Sequence, residues 1–285
     1  MNSLVCRISL TFALEISKTM RIFEWTFLAA ACALLVSCNA FDVHPYDGKI
    51  DGEVGINARN IAKISVGLAG RSEIRFAVIS DTQRWFDELE DEVESINRRG
   101  DIDFVLHCGD LTDYGITKEF EWQRDKLAKL SMPYVVVIGN HDCLGSGRDV
   151  FRKMFGNENF SFVAGRFRFI CMDTNALEYD FSHPVPDLKF LKGFAAKEDV
   201  EGTVMVIHAK PGDEEFDNNV SEPFHDYIMQ LKNPLFCVCG HGHVTEAFDL
   251  FGDGFMYYEI TCAKDRQYYV FTVNGEGYEY ETVDY

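Results

Sequence analysis

The alternation of apolar runs with amphipathic runs constrains the fold of this 285-residue chain more than any other feature. Between Arg75 and Val244, short apolar runs such as "IRFAVIS", "PYVVVIG" and "GTVMVIH" alternate with amphipathic runs such as "RWFDELEDEVESINRRG". The first pattern is typical of strands in sheets that are covered on both faces, and the second is typical of surface helices. After Val244 the chain is nearly all strand. We therefore predict one α/β domain over residues 73–285.

Two expectations about helix ends follow from the same pattern. Thr117 is a candidate N-cap for the helix "KEFEWQRDKLAKL", which carries Glu119 in its first turn. The segment "VPDLKFLKGFAAKE", residues 185–198, is also predicted to be helical.

The amino-terminal region has the features of an export signal. The segment from Met20 to Cys38, "MRIFEWTFLAAACALLVSC", has one early arginine, an apolar stretch and small residues before a cysteine. Its end, "LVSC", is similar to a bacterial lipobox, which predicts cleavage before Cys38 and lipidation of that cysteine. The alternative is a short transmembrane helix, but residues 27–37 form a short span for a bilayer.

Residues 1–37 are therefore predicted to be a signal peptide, with Met20 as an alternative start. Residues 38–72 are predicted to contain a lipid-anchored tether and an N-terminal segment, in which "NARNIAKISVGL" forms a helix. The predicted location is a bacterial membrane, at its periplasmic face or at the cell surface. The lipid is the only expected contact with that membrane.

The charge of the chain restricts its partners. The formal net charge is -19 at pH 7, so the surface repels nucleic acids at long range and none is expected as a partner. A small anionic substrate would need a local cation to offset that field, and a metal ion supplies one.

The cysteines favour free thiols over disulfides. Six cysteines follow Cys38: Cys108, Cys143, Cys171, Cys237, Cys239 and Cys262. An even number in an exported protein permits disulfides. Most of the six lie in or beside apolar runs, as in "FCVC", which favours buried thiols.

Polar residues of a narrow range of types follow five of the predicted strands. They are Asp81, Thr82 and Gln83, then Asp110, then Asn140, His141 and Asp142, then His208, and finally His241 and His243. Singly, each has an ordinary structural explanation: an aspartate in a turn, an asparagine in a left-handed bend, a hydrogen-bonded core histidine. Together they lie where the ligand sites of α/β folds form, and a shared cation would satisfy groups that are costly to bury alone.

The order of these residues resembles the calcineurin-like metallophosphoesterases. The corresponding stretches are "DTQ" at 81–83, "GD" at 109–110, "GNHD" at 139–142, "VIHAK" at 206–210 and "GHGH" at 240–243. The family has an aspartate and usually a histidine at the ends of the first stretch. The resemblance runs from Ile74 to Val244. It implies two packed mixed β-sheets flanked by helices, a four-layer sandwich.

The resemblance also implies a dinuclear metal centre and a role for each matched residue. Asp81, Gln83 and His243 would bind the first divalent metal, Asp110 would bridge both, and Asn140, His208 and His241 would bind the second. His141 would stabilise the phosphoryl group and protonate the leaving oxygen, and Asp142 would orient His141. A hydroxide bridging the metals would attack phosphorus. The implied reaction is hydrolysis of a small phosphate monoester or diester.

Gln83 departs from the family pattern, because histidine is common at that position. An amide oxygen makes the first metal site richer in oxygen, which favours manganese, with iron, zinc or magnesium as alternatives. The alternative function is a membrane-anchored binding or scaffold protein with an impaired metal site. Arg84 and Trp85 are expected to shape the site, and the loops 175–183 and 210–222 are expected either to rim it or to be ordinary solvated loops. His107, His183 and His225 match no motif.

Overall fold

The computed structural model describes residues 47–178, 180–195, 197 and 199–285, together with Trp25. Cys38 and the rest of the predicted signal peptide lie outside the described residues. The described residues from position 47 onward belong to one compact unit. Among the residues described, no helix is both long and apolar enough to cross a membrane.

Eleven strands and six α-helices lie within the described residues of this unit. The strands are β1 (Glu73–Ile79), β2 (Phe104–His107), β3 (Tyr134–Val136), β4 (Phe160–Ala164), β5 (Phe167–Cys171), β6 (Gly202–Val206), β7 (Pro234–Cys239), β8 (Glu246–Phe248), β9 (Met256–Glu259), β10 (Gln267–Asn274) and β11 (Gly277–Asp284). The helices are α1 (Ile56–Gly67), α2 (Phe86–Arg99), α3 (Thr117–Leu127), α4 (Gly147–Met154), α5 (Leu188–Lys192) and α6 (Ser221–Met229). Single 3-10 turns cover His141–Cys143, Asn218–Val220 and Ala263–Asp265.

The strands form two mixed sheets. The first has the order β11-β10-β1-β2-β3 and the second has the order β4-β5-β6-β7-β9-β8. In the first sheet β1, β2 and β3 are parallel, with Phe76 opposite Phe104. Strand β10 pairs antiparallel with β1, and β11 pairs antiparallel with β10. In the second sheet β5, β6, β7 and β9 are parallel. Each sheet thus has a parallel centre whose carboxyl ends lie at one edge.

Aromatic side chains fill the space between the two sheets. Phe76 and Phe104 of the first sheet stack with ring centroids 5.2 Å apart, and Phe169 of the second sheet meets Phe76 edge-on at 5.2 Å. Phe236 of the second sheet stacks on Phe271 of the first at 4.5 Å. These rings belong to one buried cluster that joins both sheets, so the sheets pack face to face.

The helices cover the outer faces of the sheets. In α2, Leu89, Val93 and Ile96 recur at helical spacing and are buried against the first sheet together with residues of α3 and α4. A third cluster covers the outer face of the second sheet with residues of α5 and α6. The layers run helix, sheet, sheet, helix. This confirms the predicted α/β fold with two packed mixed sheets flanked by helices.

The sequence predicts a domain that starts at residue 73 and a helix before it, near residue 57. In the structure this helix packs on the domain. The side-chain amide of Asn57 donates to the carbonyl oxygen of Val136 at 2.8 Å, and that of Asn60 donates to Tyr134 at 2.8 Å. Both amides are buried, and they hold α1 against β3.

Two local predictions differ from the structure. Thr117 is the first residue of α3, and Ile116 is its N-cap residue. The Thr117 hydroxyl donates to the carbonyl oxygen of Asp47, and the Glu119 carboxylate accepts from the N–H groups of Tyr114 and Ile116. The predicted helix over 185–198 is confined to α5, whose first turn is capped by the Asp187 side chain and which ends before Gly193.

The six cysteines that follow Cys38 are free. All are buried except Cys143, which is half-buried. Cys237 and Cys239 lie in the apolar cluster on the outer face of the second sheet.

Candidate metal centre

The carboxyl ends of five parallel strands bring the predicted ligands together. Asp81 and Gln83 follow β1, Asp110 follows β2, Asn140 follows β3, His208 follows β6, and His241 and His243 follow β7. One oxygen or nitrogen from each of Asp81, Asp110 and His208 lies within 4.8 Å of the others, and all three residues are buried. Two sheets therefore contribute to one site.

The backbone turns sharply at four of these ligands. Asp81, Asp110, His241 and His243 have φ angles of 53°, 59°, 75° and 55°. Only seven non-glycine residues among those described have a positive φ, so this unfavourable conformation is concentrated at the site. Backbone strain of this kind is common where a site must hold side chains in a fixed arrangement.

Neighbouring segments of the chain approach two glycines of the motifs so closely that no side chain fits there. A Cβ atom at Gly139 would lie 2.2 Å from the backbone nitrogen of Asp110. A Cβ atom at Gly240 would lie 2.0 Å from the hydroxyl oxygen of Ser80. Any side chain at either position would separate the loops that carry the ligands.

Asp81 and His243 form the first part of the centre. The Asp81 carboxylate lies 3.1 Å from His243 Nε2 and accepts a hydrogen bond of 3.1 Å from the backbone N–H of His241. Burial opposes ionisation of Asp81, but the hydrogen bond from His243 and the nearby imidazoles bring its pKa down to about 2. The same hydrogen bond raises the pKa of His243.

Gln83 lies in the same group. It is buried, its backbone N–H donates to the carbonyl oxygen of Asp110 at 3.1 Å, and its amide nitrogen donates to the Asp110 carboxylate at 3.3 Å. Its amide oxygen is buried and has no hydrogen-bond partner among the described residues. An unpaired buried acceptor costs about 1–3 kcal/mol, and a cation would supply the missing partner.

Asn140, His208 and His241 form the second part of the centre. The Asn140 amide oxygen lies 3.0 Å from His208 Nε2 and 3.2 Å from His241 Nδ1. His208 Nδ1 lies 2.7 Å from the carbonyl oxygen of Cys108 and donates a hydrogen bond to it, so Nε2 is the ring nitrogen that faces Asn140 and Asp110.

Asp110 lies between the two groups. Its carboxylate is 3.5 Å from His208 Nε2 and also accepts from Gln83 of the first group. Burial lowers the pKa of His208, but the charges of Asp110 and Asp81 raise it to about 10. The candidate centre combines carboxylates, amides and imidazoles, and this mixture of side chains suits two divalent cations.

The structure assigns different partners to His141 and Asp142 from those predicted. His141 Nδ1 lies 2.9 Å from the carbonyl oxygen of Asp113, which orients the ring. The buried Asp142 carboxylate instead accepts hydrogen bonds from the backbone N–H groups of Leu111, Thr112 and Gly139. Asp142 therefore braces the two loops, and the prediction that it orients His141 is corrected.

A buried network that the sequence did not reveal supports the first ligands. The Gly109 N–H donates to His107 Nδ1 at 3.2 Å, so His107 Nε2 carries the proton and donates to the Thr82 hydroxyl at 2.9 Å. That hydroxyl donates to the Gln123 amide oxygen at 3.0 Å, and the Gln123 amide nitrogen donates to the Thr82 carbonyl at 2.7 Å. Burial lowers the pKa of His107 to about 4, so the ring is neutral. The only sequence signal was a histidine inside an apolar strand.

The loops 175–183 and 210–222 contribute residues to the lining of a cavity of about 530 Å³. Leu177 and His183 line it from one loop, and Phe216 and Asn218 line it from the other. The backbone N–H of Ala176 donates to the carbonyl oxygen of Glu215 at 2.7 Å and joins the loops. Of the other histidines without a motif, His225 pairs with Asp253 at 2.8 Å, away from the ligands.

The described residues Arg84 and Trp85 lie beside the first group. The Arg84 guanidinium forms an ion pair with the Asp113 carboxylate, with Nε 2.8 Å from the carboxylate oxygen. The Lys264 ammonium lies 5.5 Å from the ring centroid of Trp85. The backbone N–H of Ala263, next to Lys264, donates to the carbonyl oxygen of Asp81 at 3.3 Å.

Solved structures of two phosphatases and of a membrane-complex anchor have a similar fold. A dimetal phosphatase from Danio rerio aligns with a TM-score of 0.56 at 14% identity and covers 74% of this chain and 99% of its own. Purple acid phosphatase from yellow lupin (Lupinus luteus) seeds gives a TM-score of 0.52 at 14% identity, covering 76% of this chain and 55% of its own. GAP50, the anchor in the inner membrane complex of Plasmodium, gives 0.55 at 14% identity, covering 75% and 85%. At such identities these likenesses concern the fold.

A family model extends the comparison to the sequence. No curated protein matches this chain. The model of the calcineurin-like phosphoesterases matches residues 74–245, which contain all of the predicted ligands. Members of this family are hydrolases of phosphate esters, and the family implies a dinuclear centre of divalent metals. The chain belongs to the calcineurin-like phosphoesterase family.

Proposed function

We propose that this chain hydrolyses phosphate esters of small molecules at a dinuclear metal centre. The ligands would be Asp81, Gln83 and His243 for one metal, Asn140, His208 and His241 for the other, and Asp110 between them. The observation that carries this proposal is the buried amide oxygen of Gln83, which has no hydrogen-bond partner among the residues that the structure describes. The family usually has an imidazole at this position. The Gln83 amide oxygen would take its place as a metal ligand, so the number of ligands stays the same.

The side chains divide the work of the reaction. When bound, two divalent cations would neutralise the phosphate charge and activate water near neutral pH. His141 would donate a proton to the leaving oxygen from Nε2, because its Nδ1 is held 2.9 Å from the carbonyl oxygen of Asp113. Asp142 would act indirectly, by fixing the loop that carries Asp110 to the loop that carries Asn140.

The donor atoms bear on the identity of the metal. Asp81, Gln83 and Asp110 offer oxygen to the first metal, and His243 offers nitrogen. This oxygen-rich set favours manganese there, and iron, zinc and magnesium are the alternatives. The second set, with two imidazoles and one amide, suits the same metals with a stronger preference for zinc or iron.

The cellular setting follows from the amino terminus. We propose that Cys38 is lipidated and tethers the domain to a bacterial membrane, at its periplasmic face or at the cell surface. The net charge of -19 disfavours nucleic acid as substrate and is consistent with small esters that reach the metal centre by diffusion.

The function is tested by metal loading and hydrolysis in one preparation. The chain from Cys38 onward is stripped with a chelator, reloaded with manganese and assayed with p-nitrophenyl phosphate and bis-p-nitrophenyl phosphate. We expect two metals per chain and hydrolysis of at least one ester, and a loss of both in Asp110→Asn. Full loading without hydrolysis of either ester would instead favour the scaffold function. The complete ligand set argues against that alternative.

A further inference from the structure

Arg84 is a cation fixed at the edge of the metal centre. It directly follows Gln83 and has a left-handed backbone with a φ of 60°. Its side chain is 56% exposed and is paired with the largely buried carboxylate of Asp113. Nε and one terminal nitrogen both donate to the same carboxylate oxygen. The guanidinium is therefore held in one place although it faces solvent.

Arg84 is connected to the candidate site in two ways, along the chain and through its side chain. Along the chain, Arg84 is joined to Gln83, which contacts the Asp110 carboxylate at 3.3 Å. Through its side chain it is joined to Asp113, whose carbonyl oxygen lies 2.9 Å from His141 Nδ1. Arg84 is thus connected both to the first group and to the predicted proton donor.

The guanidinium retains unused donors. Arginine has five N–H groups in a planar fork, and two of them are directed at Asp113. The other three have no acceptor among the residues that the structure describes. In a chain of net charge -19, an exposed and oriented guanidinium is a suitable recognition group for a phosphate oxygen.

We propose that Arg84 is a substrate-binding residue that contacts a phosphate oxygen of the ester. A phosphate monoester carries one more negative charge than a diester near neutral pH, so Arg84 favours monoesters. The Asp113 carboxylate positions the guanidinium and does not contact the substrate. This inference deepens the proposed function of the same site and rests on it.

Steady-state kinetics of manganese-loaded Arg84→Gln test the contact. We expect KM for p-nitrophenyl phosphate to rise about tenfold, which is the value of one charge-assisted hydrogen bond at a partly exposed site. KM for bis-p-nitrophenyl phosphate should rise less, and kcat for both should stay within about threefold. Arg84→Lys should recover part of the loss, because it keeps the charge but not the fork.

Arg266 provides a matched control. It also has a left-handed backbone, with a φ of 57°, and its side chain is 43% exposed and paired with an aspartate, Asp91, at 2.7 Å. Arg266→Gln therefore removes the same kind of ion pair and the same charge, but its partner Asp91 belongs to helix α2 and has no contact with His141. Its KM values should equal those of the wild type. Equal changes of KM in both variants would overturn the proposal. A fall in kcat at constant KM in Arg84→Gln would also overturn it, because that result would indicate a role in positioning His141.

Direct binding separates this inference from the proposed hydrolysis. Inorganic phosphate is titrated calorimetrically into the manganese-loaded wild type, Arg84→Gln and Arg266→Gln, with metal content measured in each. We expect about tenfold weaker binding in Arg84→Gln alone, at equal metal content. This result would support the phosphate contact even if no ester were hydrolysed. Equal binding in all three, or no binding to the wild type, would overturn the contact even if esters were hydrolysed.

Discussion

At the scale of single residues, one side-chain atom of the candidate site has no hydrogen-bond partner among the described residues. Gln83 is the residue at which the chain departs from its family, and its amide oxygen is buried and unpaired among the described residues. The amide nitrogen, by contrast, is used, because it donates to the Asp110 carboxylate. This division leaves the oxygen as the atom available to a cation.

Replacement of Gln83 should change metal preference before it abolishes metal binding. Gln83→His should still hold two metals and should bind zinc or iron more tightly at the first position, because imidazole is a softer donor. Gln83→Ala should lower occupancy and activity, with partial recovery in excess manganese. Metal analysis after equilibrium dialysis measures both. If the wild type and Gln83→Ala hold the same number of manganese ions at every concentration, Gln83 is not a ligand.

His141 should show the kinetics of a proton donor. His141→Ala should keep its metals and lose roughly 10²–10⁴-fold in kcat, the usual range for general acid catalysis. The loss should shrink for esters with acidic leaving groups, which depart without a proton. A series of aryl phosphates with different leaving-group pKa values provides the measurement. A loss that is uniform across the series would contradict the assignment.

At the scale of elements, helix α3 reaches the metal centre through one side chain. Gln123 is buried and binds both the hydroxyl and the carbonyl oxygen of Thr82, between Asp81 and Gln83. The packing of α3 on the first sheet thereby fixes the backbone of the first ligands. Partners of this kind typically change metal affinity by about 10–100-fold when they are removed.

Gln123→Leu should therefore weaken the binding of one manganese ion by about 10–100-fold and leave the other unchanged. The control is Asn60→Leu, because Asn60 is also a buried amide that binds a backbone carbonyl, that of Tyr134 at 2.8 Å. Both variants should lose about 1–3 kcal/mol of unfolding free energy. Calorimetric titration with manganese distinguishes them, and equal metal binding in both would reject the role of Gln123.

Helix α2 carries a buried carboxyl that should make stability depend on pH. Glu92 is 1% exposed, and burial raises its pKa well above the ordinary value of 4.5. Above pH 4.5 the unfolded chain releases this proton while the folded chain keeps it. The folded state then binds more protons than the unfolded state, so this group makes stability fall as pH rises until it ionises in the folded state.

Glu92→Gln should remove this contribution. The unfolding free energy of the variant should exceed that of the wild type increasingly from pH 5 to pH 8, and the two should agree best near pH 4. Urea denaturation at a series of pH values measures the difference. Glu94→Gln, at an exposed position of the same helix, should run parallel to the wild type. If the unfolding free energy of Glu92→Gln also runs parallel to that of the wild type across this pH range, Glu92 is ionised in the folded protein.

At the scale of the whole molecule, two sheets hold one site. The strand ends that carry Asp81, Asp110 and Asn140 belong to the first sheet, and those that carry His208 and His241 belong to the second. The aromatic core between the sheets sets the distance between these groups. The proposed lipid anchor would place this assembly at a membrane surface without any spanning helix in the described residues.

The anchor is tested in a bacterial host by fractionation. Cys38→Ser should yield a soluble protein or an unprocessed precursor, because stable attachment requires the multiply acylated cysteine. Cys32→Ser, inside the predicted signal peptide, should remain attached to the membrane and keep the processed size. Membrane attachment and size of Cys38→Ser that match the wild type would refute the anchor.

The sequence by itself determined the class of fold and which strand ends carry the predicted ligands. Both depend on local patterns: apolar runs of strand length, and polar residues directly after them. The five motifs, including the departure at Gln83, could therefore be identified without coordinates. The network of His107, Thr82 and Gln123, the contact of Asp113 with His141 and the actual partners of Asp142 could not.

Only the tertiary structure decided those contacts, because each joins residues that are distant in the chain. His208 Nδ1 meets the carbonyl oxygen of Cys108 across 100 positions, and Gln123 meets Thr82 across 41. Such pairs form because two sheets and a covering helix pack in one arrangement, and periodicity along the chain does not encode that arrangement. The sequence thus determined which groups reach the edge of the sheets, and the packing decided which atoms they touch.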